Sequence, residues 1–283
     1  MTSASRTTAP AHRNRWTIPP DGGPIDLRRP AASHPATLAA APRNITVDLA
    51  RTALVIVDLQ NDFCAPNGWL ASIGVDVSVL AGAVSRSDAL ARASRAAGVP
   101  VIWLNWGNRP DQANLPPGVT HVYDPDGTGA GIGHVLPSSG AAVLTKDSWG
   151  AALTAPLRAE PGDIQVDKYR MSGFWDTELD SVLRNLRVDT LLFAGVNSDQ
   201  CVYATLIDAA CAGYDVVLLT DASATTSPRY CHEATIYNTR QCFGFTTETD
   251  AVLGALLQTE LQQQGDRRGT AGTGGSPAPP ARS

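Results

Sequence analysis

The sequence predicts an α/β protein, a three-layer α/β/α sandwich around a mainly parallel, six-stranded sheet. Short β-branched, apolar runs alternate along the chain with segments of helical periodicity. Four of these runs are almost entirely apolar, as expected of strands that are covered on both faces. Helices between such strands imply right-handed crossovers between parallel strands.

The elements follow one another at regular intervals. A helical pattern fills residues 79–98 and ends at Gly98, a residue suited to a helix C-terminus. A second helix is predicted over 177–187, and a last one from Glu248 to about 263. The predicted strands are 52–58, 99–105, 162–168, 190–196, 215–221 and a short one near 243–246.

Composition divides the chain into three zones. Residues 1–47 are rich in Pro, Ala, Thr and Arg with weak periodicity, so we expect an extended arm. Residues 48–263 carry the alternating pattern and form the predicted domain. Residues 264–283 are rich in Gly, Pro and Ser, which predicts a disordered tail.

Composition also excludes several classes of protein. Of 283 residues, 17% are charged and 43% hydrophobic, and the net charge is −5 without a basic stripe, so no nucleic-acid partner is expected. No apolar run reaches the roughly 18–20 residues that span a bilayer, so no membrane partner is expected. The five cysteines show no paired spacing, which favours a reducing cytoplasm over a disulfide framework.

Polar residues gather where the predicted strands end. Asp58, Asn105, Lys168, Asp221 and the turn 195–201 each lie at the carboxyl end of a predicted strand. In parallel sheets ligands bind at the carboxyl ends of the strands. This edge of the sheet is therefore the predicted functional site.

Cys201 lies at the N-terminus of a predicted helix, directly after a polar turn. Ser198 or Asp199 is the predicted N-cap. The helix dipole and the free N–H groups of the first turn are expected to lower the thiol pKa and stabilise a thiolate. The same N–H groups could bind the oxyanion of a tetrahedral intermediate. We interpret Cys201 as a nucleophile.

A thiol nucleophile needs a base and a neighbouring cation. The five histidines lie outside the predicted strand ends, and His232 is expected at the surface. Asp58 could accept the thiol proton and return it to a leaving amine, while Lys168 could stabilise the thiolate. Taken alone, Asp58 could be a turn-capping carboxylate and Lys168 an exposed lysine at a strand end. Together with Cys201 they place three reactive groups at three strand ends, which indicates a functional site.

Three blocks of sequence resemble the signatures of isochorismatase-like cysteine hydrolases. They are "ALVIVDLQNDF" (53–63), "DKYRMSGFWDTELDSVLR" (167–184) and "AGVNSDQCVYATLIDAACAGYDVVLLTDA" (194–222). The similarity covers about residues 50–255, and the type, order and spacing of the blocks agree. It implies a Rossmann-like form of the predicted sandwich.

The resemblance also implies roles for individual residues. The family's catalytic triad falls on Asp58, Lys168 and Cys201. A cis peptide bond is implied between Val196 and Asn197, and it would aim the N–H groups of Asn197 and Cys201 at one oxygen, as an oxyanion hole.

The resemblance also implies a substrate class and expectations about cofactors. Some segments resemble ureidoacrylate amidohydrolases and others biuret amidohydrolases, and both act on ureido or carbamoyl amides. Candidate substrate-binding residues are Gln241, Asn61, Arg109 and Trp175. The stretch after the second strand lacks the histidines of related metal-binding nicotinamidases, so no metal and no cofactor is predicted.

The resulting hypothesis is a cytoplasmic cysteine amidohydrolase that cleaves a C–N bond of a small-molecule amide through a thioester, as a homo-oligomer (dimer or tetramer). One alternative is a hydrolase of a larger natural-product lactam such as streptothricin. Another is a catalytically silent binding scaffold of the same fold. Loops 60–75 and 107–150 would decide between a small closed and a large open pocket.

Overall fold

A computed structural model gives the architecture and describes Asn14, residues 18–28 and residues 33–271. The described strands are β1 (Pro35–Leu38), β2 (Ala40–Ala41), β3 (Ile45–Asp48), β4 (Thr52–Val57), β5 (Val101–Trp106), β6 (Ile164–Lys168), β7 (Thr190–Gly195), β8 (Asp215–Ser223) and β9 (Phe245–Thr247). The described helices are α1 (Asn61–Cys64), α2 (Trp69–Ser72), α3 (Ala81–Ala96), α4 (Pro117–Tyr123), α5 (Leu179–Leu186), α6 (Tyr203–Cys211), α7 (Arg229–Asn238) and α8 (Thr249–Ala271).

The central sheet has the order β2-β9-β8-β7-β4-β5-β6. Every neighbouring pair is parallel except β2 and β9. The mainly parallel α/β fold is therefore confirmed, but the predicted count of six strands is wrong, because the sheet has seven. The extra strand is the two-residue β2, which is too short and too alanine-rich to show a strand pattern in the sequence.

Apolar burial on both faces holds the sheet between its helices. Every residue of β4 and β7 is buried. Helices α3 and α8 pack against each other, and both contact β8. Helix α6 lies in the crossover from β7 to β8 and contacts β8. This crossover moves along the sheet in the opposite direction to the β4–β5 crossover that contains α3, so the right-handed rule places α6 on the opposite face.

The direction of winding reverses between β4 and β7. From β4 the chain adds β5 and β6 on one side, and from β7 it adds β8 and β9 on the other. In doubly wound sheets this reversal opens a crevice at the carboxyl ends of the two central strands. Asp58 and the turn after β7 both lie at this point.

Gly195 allows β7 to end close against β4. Its φ is +117°, a conformation that side chains disfavour. A Cβ atom at this position would stand 2.1 Å from the Val57 carbonyl oxygen. The residue that opens the polar turn must therefore be glycine.

Part of the segment that precedes the predicted domain takes part in the fold. β1 and β3 form an antiparallel hairpin, and β2 joins the main sheet, so residues 35–48 are built into the fold. Helix α8 continues past 263 to Ala271, through the first residues of the predicted tail. The rest of the tail, 272–283, and residues 1–13, 15–17 and 29–32 of the arm lie outside the described residues. None of the described helices combines the length and apolar character needed to cross a membrane.

Candidate active site

A buried ion pair lies at the reversal point of the sheet. The Lys168 ammonium, at the end of β6, stands 2.8 Å from Oδ2 of Asp58, the residue after β4. The two side chains are 0% and 1% exposed. The Lys168 ammonium also lies 4.2 Å from the ring centroid of Trp106, a cation–π contact.

Burial and mutual attraction set the protonation states of this pair. Burial raises the pKa of Asp58, while the Lys168 charge opposes that rise. Burial by itself would lower the pKa of Lys168, but the carboxylate beside it outweighs this effect and the net shift is upward. The net effect is a raised pKa for both members of the pair, by burial for Asp58 and by the neighbouring carboxylate for Lys168.

Cys201 completes the cluster from the third strand end. It lies in a π-helical turn, Ser198–Val202, that leads into α6. The N-cap of this turn is Asn197 and no side chain caps it, so the predicted cap by Ser198 or Asp199 is wrong. Cys201 is 4% exposed, and its Sγ lies 3.7 Å from Sδ of Met171.

The surroundings of Cys201 shift its thiol pKa in opposing directions. Burial raises the pKa of Cys201, the ammonium of Lys168 lowers it, and the carboxylate of Asp58 raises it again, with a net upward shift. A thiolate stabilised at the helix entrance stays a prediction. Asp58 lies beside the thiol and is placed to accept its proton.

The polar turn has the backbone form that the resemblance implied. The Val196–Asn197 peptide bond is cis. The Asn197 side-chain oxygen accepts a hydrogen bond of 3.1 Å from the Thr226 N–H, which ties the turn to the segment after β8. The oxyanion hole formed by the N–H groups of Asn197 and Cys201 stays a prediction.

Three consecutive side chains, Gln60 to Asp62, hold the loop of residues 144–151 at this edge of the sheet by hydrogen bonds. Gln60 Nε2 donates to the Ala151 carbonyl over 2.7 Å, and Asn61 Nδ2 donates to the Trp149 carbonyl over 2.8 Å. Asp62 Oδ2 accepts from the Leu144 N–H over 2.7 Å. All three are buried.

The site is consequently closed. Gln60 also exchanges two hydrogen bonds with the backbone of Trp106, so the loop and the ring beside Lys168 form one unit. A surface cleft of about 860 Å³ lies elsewhere, lined by residues such as Val77, Val84, Arg92 and Pro156, and none of the three catalytic candidates lines it.

Comparison with known proteins places the chain in a family. The Isochorismatase domain pattern matches residues 52–251. The chain belongs to the isochorismatase family. Among its relatives is the ureidoacrylate amidohydrolase RutB of Methylobacterium radiotolerans, 35% identical over 245 residues, which are 86% of this chain and 94% of that protein. RutB of Methylorubrum extorquens is 33% identical over 242 residues, 85% of this chain and 97% of that protein.

Solved structures agree with this assignment. A cysteine hydrolase from Pseudomonas syringae pv. phaseolicola superposes with a TM-score of 0.63 at 26% identity, covering 75% of this chain and 95% of that one. An isochorismatase family protein from Desulfovibrio vulgaris gives 0.59 at 28% identity, covering 73% and 98%. The chain is thus an isochorismatase-family hydrolase, and the α/β fold and family predicted from its sequence are confirmed.

The predicted substrate-binding residues of this isochorismatase-family protein are not brought together. Asn61 is buried, and its described hydrogen bond holds the covering loop. Arg109 is exposed and paired with Asp111, and Trp175 is exposed with its indole N–H on Asp208. Gln241 is exposed in a π-helical turn after α7. No described contact joins Arg109, Trp175 or Gln241 to the catalytic cluster.

Two residues near the cysteine escaped the sequence analysis. His232, expected at the surface, is half-buried on α7, and its Nδ1 lies 2.8 Å from the hydroxyl of the buried Ser198. Burial lowers the pKa of His232, so the neutral ring can accept this hydrogen bond. Trp106 lies one residue beyond the predicted strand 99–105 and was given no role. Only its place beside a strand-end asparagine could have suggested a role.

If Asp58 is the general base, its buried carboxyl group should determine the pH dependence of the reaction. We expect kcat/KM to fall at acid pH with an apparent pKa above the ordinary aspartate value of about 3.9, because burial raises the pKa of Asp58 and the base must be ionised. A pH–rate profile measures the apparent pKa of this acid limb. That value is a property of the three coupled groups together and not of Asp58 alone.

Stability measured over the same pH range is the control. A group with a raised native pKa contributes most to stability below its unfolded pKa, and this contribution is lost as the pH rises through the native pKa. Protonating Asp58 should therefore stop turnover without causing unfolding. An acid limb at or below the ordinary aspartate pKa would contradict the assignment.

Two further observations concern possible cofactors and redox state. Within the described ranges, no group of three or more His, Cys, Asp or Glu side chains is placed to hold a metal ion. The five cysteines are all free thiols.

Proposed function

We propose that the protein is a cysteine-dependent amidohydrolase that cleaves a C–N bond of a small ureido or carbamoyl amide. The observation that carries this proposal is the juxtaposition of a buried thiol with a buried Asp58–Lys168 ion pair. An ammonium group, a carboxyl group and a thiol held together supply what acyl transfer to sulfur requires.

The reaction begins with proton transfer. As Cys201 Sγ attacks the carbonyl carbon, Asp58 takes the thiol proton, and negative charge moves to the carbonyl oxygen. Lys168 stays charged, holds Asp58 in place and stabilises the negative charge that develops. The N–H groups of Asn197 and Cys201 are the proposed donors to the oxyanion.

Collapse of the tetrahedral intermediate breaks the C–N bond. The proton on Asp58 passes to the leaving nitrogen, the amine departs, and the acyl group stays on sulfur as a thioester. Water then attacks the thioester while Asp58 accepts its proton, and that proton returns to sulfur when the C–S bond breaks. No cofactor or metal enters this proposed sequence.

The closed site favours a small substrate. Cys201 is only 4% exposed, and Asp58 and Lys168 are 1% and 0% exposed, which suits a compact planar amide better than a streptothricin-like lactam. The relatives named ureidoacrylate amidohydrolase, 33–35% identical, make ureidoacrylate the first substrate to test and biuret the second.

Direct assay tests the proposal. The purified protein is incubated with ureidoacrylate, biuret and a lactam, with amine or ammonia release measured and the intact mass recorded for an acyl adduct. We expect turnover of a ureido substrate and an adduct that maps to Cys201. No turnover and no adduct with any ureido or carbamoyl amide would support the binding-scaffold alternative instead.

Assembly and location are also proposals. The arm exposes Ile18, Ile25 and Leu27, which supports a homo-oligomer in which these side chains are covered by a second copy. Five free thiols support a reducing compartment such as the cytoplasm.

A further inference from the structure

The turn Ser198–Val202, which carries the nucleophile, is held from outside by the chain that follows β8. Its N-cap residue, Asn197, makes no side-chain capping bond. The Ser198 N–H donates to the Ala224 carbonyl over 2.8 Å, and the Thr226 N–H donates to Asn197 Oδ1 over 3.1 Å. The orientation of the turn therefore depends on how firmly its first residues are tied to this neighbouring segment.

The Ser198 side chain has a partner of its own on α7. Ser198 is fully buried, and its hydroxyl oxygen lies 2.8 Å from Nδ1 of His232. Helix α7 begins at Arg229, shortly after the segment that binds the backbone of the turn. The backbone and the side chain of Ser198 are thus both fixed, three residues before the nucleophile.

His232 is suited to accept this hydrogen bond. Burial lowers the pKa of its half-buried ring, while the charges of Asp199 and Glu233 and a hydrogen bond to the Thr220 backbone oppose that shift. The net shift of the pKa is downward, which favours a neutral ring near pH 7. A neutral ring with its hydrogen on the other nitrogen presents Nδ1 as an acceptor, and the serine hydroxyl is then the donor.

The position of the reacting sulfur depends on this tie. Ser198 and Cys201 belong to one five-residue turn, and the Thr205 hydroxyl holds the far side of that turn by donating to the Cys201 carbonyl over 2.7 Å. A displacement of Ser198 would therefore move Sγ relative to Asp58. A misplacement of about 1 Å at a reacting atom can cost on the order of a hundredfold in rate.

We propose that His232 is a positioning residue for the cysteine nucleophile. By accepting a hydrogen bond from the Ser198 hydroxyl, it fixes the turn so that Sγ of Cys201 faces Asp58. This role requires no contact with the substrate, so its loss should slow reaction at sulfur and leave substrate affinity unchanged. The inference rests on Cys201 as the nucleophile of the proposed function and adds a residue that orients it.

The first test measures the thiol without turnover. Iodoacetamide is a compact amide that alkylates sulfur, and peptide mass spectrometry gives its rate of reaction at Cys201. In His232→Leu, which cannot accept the hydrogen bond, we expect this rate to fall about tenfold. His232→Asn, whose Oδ1 can replace Nδ1 as the acceptor, should restore most of it. The exposed Cys211 of the same protein is the internal control, and its rate should not change.

Steady-state kinetics with ureidoacrylate separates positioning from binding. For His232→Leu and for Ser198→Ala, we expect kcat to fall about ten- to a hundredfold while KM stays within about twofold of the wild-type value. The double variant should be no slower than either single variant, because both residues act through one hydrogen bond. His121→Leu, which changes an exposed histidine on α4, is the matched control and should leave both constants unchanged.

Ser198→Ala removes the same hydrogen bond with little change in volume, so it carries the test if His232→Leu does not fold. Wild-type values of kcat and of Cys201 alkylation in these variants would overturn the inference. A lower melting temperature with both rates unchanged would also overturn it, since that result indicates a structural role only. If the wild-type protein turns over no ureido or carbamoyl amide, the proposed function fails, and the alkylation rates by themselves decide the inference.

Discussion

Replacing Cys201 with alanine is expected to lower kcat/KM by about 10⁴-fold or more while the fold stays intact. The nucleophile forms the only covalent bond to the acyl group in the proposed reaction, so the remaining groups can supply only binding and charge stabilisation. Cys201→Ser should be similarly impaired, because the site is arranged for a thiol and a hydroxyl is a far weaker acid. Steady-state kinetics on the substrate found by direct assay measures both variants.

Cys211→Ala provides the matched control. Cys211 closes α6, the helix that follows the nucleophile turn, and its side chain is exposed. We expect full activity and an unchanged circular dichroism spectrum. If the Cys201→Ala protein keeps more than a few per cent of wild-type activity, another group must be the nucleophile.

Replacing Lys168 with methionine is expected to destabilise the fold and to abolish turnover. The substitution keeps most of the side-chain volume but leaves the Asp58 carboxylate buried without its cation. Breaking a buried ion pair in this way costs about 3–5 kcal/mol. The midpoint of urea denaturation measures the loss, and kinetics of the folded protein measures the activity.

Two companion variants separate the charge effect from packing. Lys146→Met breaks a pair with Asp167 at the surface, where both side chains are about half exposed, and it should cost roughly 0–1 kcal/mol. The double variant Asp58→Asn/Lys168→Met removes both buried charges, so it should regain most of the stability yet stay inactive. If Lys168→Met is as stable as Lys146→Met, the ion pair does not anchor the site.

The position of the catalytic cluster could be read from sequence because strand ends obey a simple geometric rule. Asp58, Lys168 and Cys201 each lie at or just beyond the carboxyl end of a predicted strand, and parallel strands bring such positions to one edge. The pKa values of these groups could not be predicted in the same way. The thiol pKa depends on burial and on the charges of Lys168 and Asp58, and residues far apart in sequence determine both.

Loops explain the other differences. The side-chain chemistry and sequence positions of Arg109, Trp175 and Gln241 predict substrate binding. The direction in which a loop side chain points, however, depends on partners such as Asp111 and Asp208.

The short strand β2 protects one border of the sheet. Without it, β9 would present a row of free amide and carbonyl groups, to which a strand from another molecule could attach. Only two alanines pair with β9, so the border that remains is too brief to recruit a further strand. Removing the residues before 48 would therefore expose the free edge of β9 and favour aggregation between molecules.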